Sequence, residues 1–312
     1  MKRKLSAKIL LLALLISISA LCFAACDGVL TEVTHNIDGE FSQISVTTDT
    51  ADVIFVKHDG APYVKCAKQK DFTLTVAVED GILAIRLIDT RAWYQKIFTF
   101  GAGGKVRVYL PQSAWDYVHA QTATGDVEIT DVTANKITVT TSTGDIDGAA
   151  LKANEVILTA STGDIDVESI LSVNLSVTTS TGDVDLSGAL SESLTVTTNT
   201  GEVDLERVVA SADLKIETDT GDVDLQSSSG FKVTVTTDTG EVSFSRLDGT
   251  EIFIETDTGD VKGTLLTDKI IFAQTDTGRV DVPKLTTGGR CEITTDTGDI
   301  KINLVTDPHE NE

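Results

Sequence analysis

The sequence predicts an all-β protein: a β-solenoid, parallel β-helix-like, of about ten rungs of 19–20 residues, with an irregular N-terminal β cap. Three observations lead there. Thr-Gly followed by a polar residue recurs with the glycine at 125, 144, 163, 182, 201, 221, 240, 259, 278 and 298, always 19 or 20 residues apart. Inside each copy apolar and polar residues alternate with period two, the pattern of a half-buried strand. The composition is also that of strands and turns: only 5% aromatic and only four prolines, with Thr, Val, Ile and Asp-Gly abundant, so the core must be aliphatic.

The columns follow by counting from each glycine. Seven residues before it stand Val118, Ile137, Val156, Leu175, Leu194, Leu214, Val233, Ile252, Ile271 and Cys291, and two after it stands Val or Ile in every copy. Five before is apolar throughout, and three before is Thr except at Ala160. Seven after the glycine another apolar step appears, as at Leu151, Ile170 and Leu247. A βαβ unit needs about 30 residues, so each copy suits one turn of a coil. Stacked coils place like residues about 4.8 Å apart and give a rod of about 50 Å. Propeller blades need about 40 residues, and the near-identity of odd and even copies argues against pairing two copies per blade. The glycine is expected at a corner that needs positive φ. The Thr column is expected to be a buried hydroxyl ladder, because an unpaired buried hydroxyl is costly.

Outside the regular copies, residues 44–55 fit the same register, with Ala51 in place of the glycine, and read as a degenerate rung. Residues 72–78 and 82–87 read as a hairpin across Glu79-Asp80-Gly81, and residues 105–110 as a strand stopped by Pro111. The organisation expected is therefore a signal peptide over 1–25, a lipid-anchor linker over 26–34, a capping β region over 35–117, solenoid repeats over 118–305 and a polar tail over 306–312.

The N-terminus reads as an export signal. Residues 1–8 carry four positive charges, and residues 9–21 are apolar, too short a run for a comfortable membrane span. Phe23-Ala24-Ala25-Cys26 resembles a bacterial lipobox, which implies cleavage before Cys26 and a diacylglycerol thioether on it. Several acyl chains there would anchor the protein stably, since each buried methylene adds about 0.8 kcal/mol. The alternative is ordinary cleavage near Ala25. Four cysteines are too few for a disulfide scaffold. Cys291 lies in an apolar column and reads as a small buried hydrophobe.

Beyond residue 25 the chain has 21 basic against 48 acidic residues, a surface that repels phosphate backbones and excludes nucleic acid as a partner. Anionic headgroups are disfavoured too, whereas divalent cations or basic partners fit. Acidic residues follow nearly every glycine, and stacked like charges repel. Ca²⁺ is the candidate ion, with Asp219 and Asp222, and Asp257 and Asp260, as its candidate ligands. The plainer reading is that these are solvated turn residues that confer solubility. Trp93, Tyr94, Phe98 and Phe100 concentrate four aromatics before a Gly-rich stretch, either a recognition loop for glycan or membrane or a segment packed over a solenoid end. No catalytic residue is assigned: His35, His58, His119 and His309 have no recognisable partners, and the short coils leave no inserted loop to build a reaction groove. An ice-binding face is ruled out, because Lys215, Phe253, Phe272 and Glu292 interrupt the outward Thr array.

The unit strand, then Thr-Gly-Asp-Val-Asp-Leu as at 181–186, then strand, after a region with the Leu110-Pro111 step, resembles the bacterial "putative adhesin" family of β-strand-repeat domains over residues 35–305. The resemblance implies a surface or envelope location, a lipid or membrane tether, and no catalytic residues to carry over. The function expected is a non-enzymatic cell-envelope lipoprotein on the extracytoplasmic face of the membrane, presenting a rigid acidic solenoid for adhesion or binding, with an envelope protein or glycan as its ligand. The alternatives are a structural or regulatory component acting with a membrane partner and, more weakly, a glycan-active enzyme.

Overall fold

The computed structural model describes residues 30–92 and 104–305, and among them every regular element is a β-strand. The Thr-Gly copies are coils of a parallel β-solenoid. Val127 pairs with Ile146, Ile146 with Ile165, Ile165 with Val184 and Val184 with Val203. The same in-register pairing runs through the strand before each glycine, from Val118 to Ile137, Val156, Leu175 and Leu194. These columns are wholly or almost wholly buried. Each residue inside therefore lies on its equivalent in the next coil, and one aliphatic core runs the length of the stack. A buried Val or Leu is worth about 1.5–3 kcal/mol before chain entropy is counted.

Two corners shape each coil. At the Thr-Gly corner, Gly182 has φ 149° and Gly201 has φ 151°. A Cβ on Gly201 would lie 2.0 Å from the Gly182 carbonyl oxygen, so glycine is needed there for the closeness of the stack as well as for its φ. The Thr column does not form a hydroxyl-to-hydroxyl ladder. Thr141 donates instead to the carbonyl oxygen of Gly125 (3.2 Å) and Thr179 to that of Gly163 (3.1 Å), and Thr198, Thr237 and Thr256 likewise tie their coils to the glycine of the coil beneath, whereas the buried Thr218 hydroxyl has no partner.

The second corner lies six residues after the glycine. Asp131, Ala150, Ser169, Arg207, Ser227 and Arg246 adopt φ between 50° and 59° there, and Gly188 has φ 66°. A non-glycine residue in this left-handed region costs roughly 1–2 kcal/mol. Ala150→Gly is therefore expected to stabilise the fold by about 0.5–1 kcal/mol after the extra unfolded-state entropy is subtracted, a gain to be read as a higher urea midpoint.

The coils are not stacked wholly in chain order, contrary to a strictly sequential reading of the repeat. Gly289–Thr297 pairs with the strand of the Gly259 coil on one side and with Lys269–Thr277 on the other. The Gly298 coil is thus inserted between the Gly259 and Gly278 coils. The Thr hydroxyls confirm this order, Thr295 donating to Gly259 O and Thr275 to Gly298 O, both at 3.0 Å. The reason is legible in the side chains. The Gly298 coil brings Cys291, Ile293, Ile300 and Ile302, all buried, whereas the Gly278 coil has only a two-residue second strand, Val280–Asp281, ended by Pro283. The more apolar coil takes the inside place.

The same interchange occurs at the other end. Gln43–Thr48 and Asp52–Lys57, the degenerate rung with Ala51 at its corner, pair with the Gly125 coil on one side. On the other side they pair with Ile82–Asp89 and Gly104–Leu110, which come later in the chain but lie further out. The stack therefore has twelve coils, the ten Thr-Gly copies and these two, and is about 58 Å long at about 4.8 Å per coil. Antiparallel strands cover this end. Phe72–Glu79 hairpins onto Ile82–Asp89 through Asp80 and Gly81, both at positive φ as a type I′ turn requires. Tyr63–Lys68 runs against Gly104–Leu110, and Thr31–Asn36 against Tyr63–Lys68.

Candidate functional site

The acidic column directly after the glycines has a structural role. The backbone N–H of Asp145 donates to Asp126 Oδ1 at 3.0 Å, that of Asp164 to Asp145 at 2.9 Å, and that of Asp183 to Asp164 at 2.8 Å. The series continues through Glu202 on Asp183 and Glu241 on Asp222. Each aspartate thus accepts a charge-assisted bond from the turn above it, which leaves one carboxylate oxygen free toward solvent.

The column three after the glycines is different. Asp147, Asp166, Asp185, Asp204 and Asp224 pair residue to residue through five consecutive coils. Partial burial, reinforced by neighbouring carboxylates, pushes Asp147, Asp185 and Asp204 above the usual aspartate range, and burial with the same neighbours raises Glu202. One oxygen of Asp204 is buried without a hydrogen-bond partner. Because the folded chain holds these protons more tightly than the unfolded chain, stability falls as pH rises through the raised values. Acidification from neutrality into the range of these raised carboxylates is expected to raise the melting temperature, and Asp204→Asn is expected to raise it at neutral pH and flatten that dependence. Calorimetry across pH checks both.

The candidate calcium pairs sit in the first acidic system. Asp222 Oδ1 accepts from the Glu241 N–H and Asp260 Oδ1 from the Asp299 N–H, both at 2.7 Å, while Asp219 and Asp257 are exposed. Among the described residues no group of three or more His, Cys, Asp or Glu side chains is arranged to hold a metal ion. Trp93, Tyr94, Phe98, Phe100 and the candidate lipidation site Cys26 lie outside the described residues. Cys66 and Cys291 are buried free thiols, and burial pushes them up to about 11 and about 12 respectively, so both are inert hydrophobes at neutral pH.

The structure also shows a feature that the periodicity conceals. Leu171, Leu190 and Val209 are 47%, 49% and 40% exposed and stack on consecutive coils. They line a corner whose floor is the small-residue column Ala153, Ser172, Ser191, Ala210, Gly230 and Gly249. A groove of about 760 Å³ opens along this corner beside Val209, with Phe231 on its wall. At its end the buried Lys269 ammonium meets Asp248 at 2.8 Å. Burial opposes ionisation of Asp248, but Lys269, Thr267 and the Gly249 N–H together hold it below the usual range. The signal lay in adjacent apolar pairs, Ile170-Leu171, Ala189-Leu190 and Val208-Val209. In a period-two strand one member of such a pair must face out, and the structure buries the first.

Comparison with known proteins adds a family. The family model described as Toastrack DUF4097 matches residues 41–205 and again 187–311. Solved structures similar to this chain include one named a putative adhesin from Bacteroides fragilis, at 14% identity and TM-score 0.36 over 88% of this chain and 97% of that one. Another, named a putative lipid binding protein from Parabacteroides distasonis, has 14% identity and TM-score 0.44 over 88% and 97%. A third, named a putative cell adhesion protein from Clostridium sporogenes, has 9% identity and TM-score 0.25 over 88% and 99%. No curated protein matches the chain.

Proposed function

The chain belongs to the Toastrack DUF4097 family, and from that premise we propose that it is a non-enzymatic, envelope-tethered rod that binds a basic partner along its acidic coils. The observation that supports this reading most is the distribution of charge. Residues 118–261 hold 27 acidic against 6 basic side chains, whereas residues 262–305 hold six of each. A solenoid needs outward polar residues of either sign for solubility. Concentrating one sign on the middle of the stack, and placing part of it where burial and mutual repulsion raise its carboxylates, costs stability that a cationic ligand would return. On this reading Ca²⁺ at Asp219, Asp222, Asp257 and Asp260 is a competing counter-ion. The tether is Cys26, and the acidic faces are presented outside the membrane. A glycan ligand would be served by the apolar groove beside Phe231.

The test uses residues 26–312 with Cys26→Ser. Titration with a fluorescent oligolysine is expected to give saturable binding that weakens steeply with salt and falls at least tenfold when Asp147, Asp166, Asp185, Asp204 and Asp224 are all changed to Asn. A neutral oligosaccharide serves as the contrasting probe. Absence of oligolysine binding at low salt would sink the basic-partner reading, and saturable oligosaccharide binding in its place would move the site to the groove.

A further inference from the structure

The two ends of the stack are finished differently. At the N-terminal end the outermost coil is roofed by antiparallel strands, and its core residues Leu83, Ile85, Leu87, Val106 and Val108 are all fully buried. At the other end the outermost coil has no roof among the described residues. Lys269–Thr277 pairs only with Gly289–Thr297, and Val280–Asp281 only with Ile300–Leu304, so the outer backbone edge of both strands has no strand partner among the described residues. Its columns are open as well. Ile271, Ala273 and Val282 are only partly buried against the core, Val280 is 45% exposed, and Phe272 is 57% exposed. Edges of this kind are normally charged, bulged or covered.

We propose that this end is an interface between two copies of the chain, docked end to end about a two-fold axis. Under that symmetry the two Lys269–Thr277 edges meet antiparallel, each completing the other's hydrogen bonds, and the two aliphatic cores join. Electrostatics selects a second copy over other occupants. A basic partner is drawn most strongly to the acidic coils, where 27 acidic residues face 6 basic ones over 118–261. Conversely, two such rods repel most strongly along their acidic middle and approach at less cost end to end, where residues 262–305 hold six charges of each sign. There the exposed charges alternate in sign, with Asp276, Arg279, Asp281 and Lys284 in close sequence, a pattern that a two-fold axis can pair with itself. The roofed opposite end keeps the assembly closed at two copies.

Sedimentation and small-angle scattering of residues 26–312 with Cys26→Ser test this. A two-copy mass at micromolar concentration is expected, with a maximum dimension about twice the ~58 Å coil stack. Val280→Asp, at an exposed position, and Ala273→Asp, on the open column, are each expected to weaken association at least tenfold. Val280→Asp should do so with the β-sheet circular dichroism of the coils retained, which guards against loss of the fold as the explanation. Phe231→Asp, an equally exposed apolar site in the groove, should leave the dimer intact. A monomer at all concentrations overturns the proposal. So does a dimer no longer than one rod, or one that survives Val280→Asp.

Discussion

Gly201→Ala is expected to cost on the order of 3–5 kcal/mol, far more than an alanine in an ordinary turn. The added Cβ would lie 2.0 Å from the carbonyl oxygen and 2.6 Å from the carbonyl carbon of Gly182, and 3.1 Å from Asp183 Oδ1. The two nearest atoms are backbone, held by coils on both sides, so neither can swing away. The φ of 151° adds strain that an L side chain avoids. The matched control is Gly188→Ala. Gly188 has φ 66°, but nothing lies closer than 3.9 Å to its Cβ position, so only the left-handed penalty of about 1–2 kcal/mol applies. Urea unfolding of the pair separates the two causes. Equal losses would show that conformation alone, not stacking distance, fixes the glycine column. Repeat stacks can unfold in parts, so hydrogen exchange around residues 182–221 should accompany the global measurement.

Deleting residues 289–312 is expected to unravel two coils, not one. In a sequential stack the last coil could be removed with its predecessor left as a new end. Here the removed strands are, among the described residues, the sole ladder partners of Lys269–Thr277 and Val280–Asp281, so residues 269–282 lose their support together with the deleted coil. Buried Lys269 should then be released from Asp248, whose carboxylate returns toward its ordinary range as the ammonium leaves. Amide exchange is the measurement. Retained protection over 269–282 would mean that this coil can drop into the vacated place on the Gly259 coil, and that its outward position is a preference, not a requirement.

Much of this architecture was legible because the repeat is long and its columns are clean. The strand alternation, the core columns, the degenerate rung at Ile44 and the hairpin at Asp80-Gly81 all follow from side-chain period and turn chemistry. What was not legible depends on contacts between coils. Nothing in a single copy says that the Gly298 coil outcompetes the Gly278 coil for the inner place; that is settled by Ile293, Ile300 and Ile302 against Ala273 and Pro283. The left-handed corner was missed because Asp131, Ala150, Ser169, Arg207, Ser227 and Arg246 share a conformation but no chemistry. The burial of the Thr column follows from the alternation, but its acceptor is a carbonyl that only the stacking distance brings within reach. Of the candidate site, the acidic columns could be read directly. Which oxygens are already engaged by backbone N–H groups could not.

The tucked-in first coil has a mechanical consequence. A pull on the N-terminus first meets Thr31–Asn36, which has a single strand neighbour among the described residues and can be peeled away one bond at a time. The load then reaches Gln43–Thr48, which is clamped between parallel ladders on both flanks, so that a pull along its own axis loads them in shear. All of its bonds must slide together before any breaks. A molecule held by its leading end against flow would therefore shed one short ribbon and then resist, with the shear-loaded clasp only a few residues further along the chain.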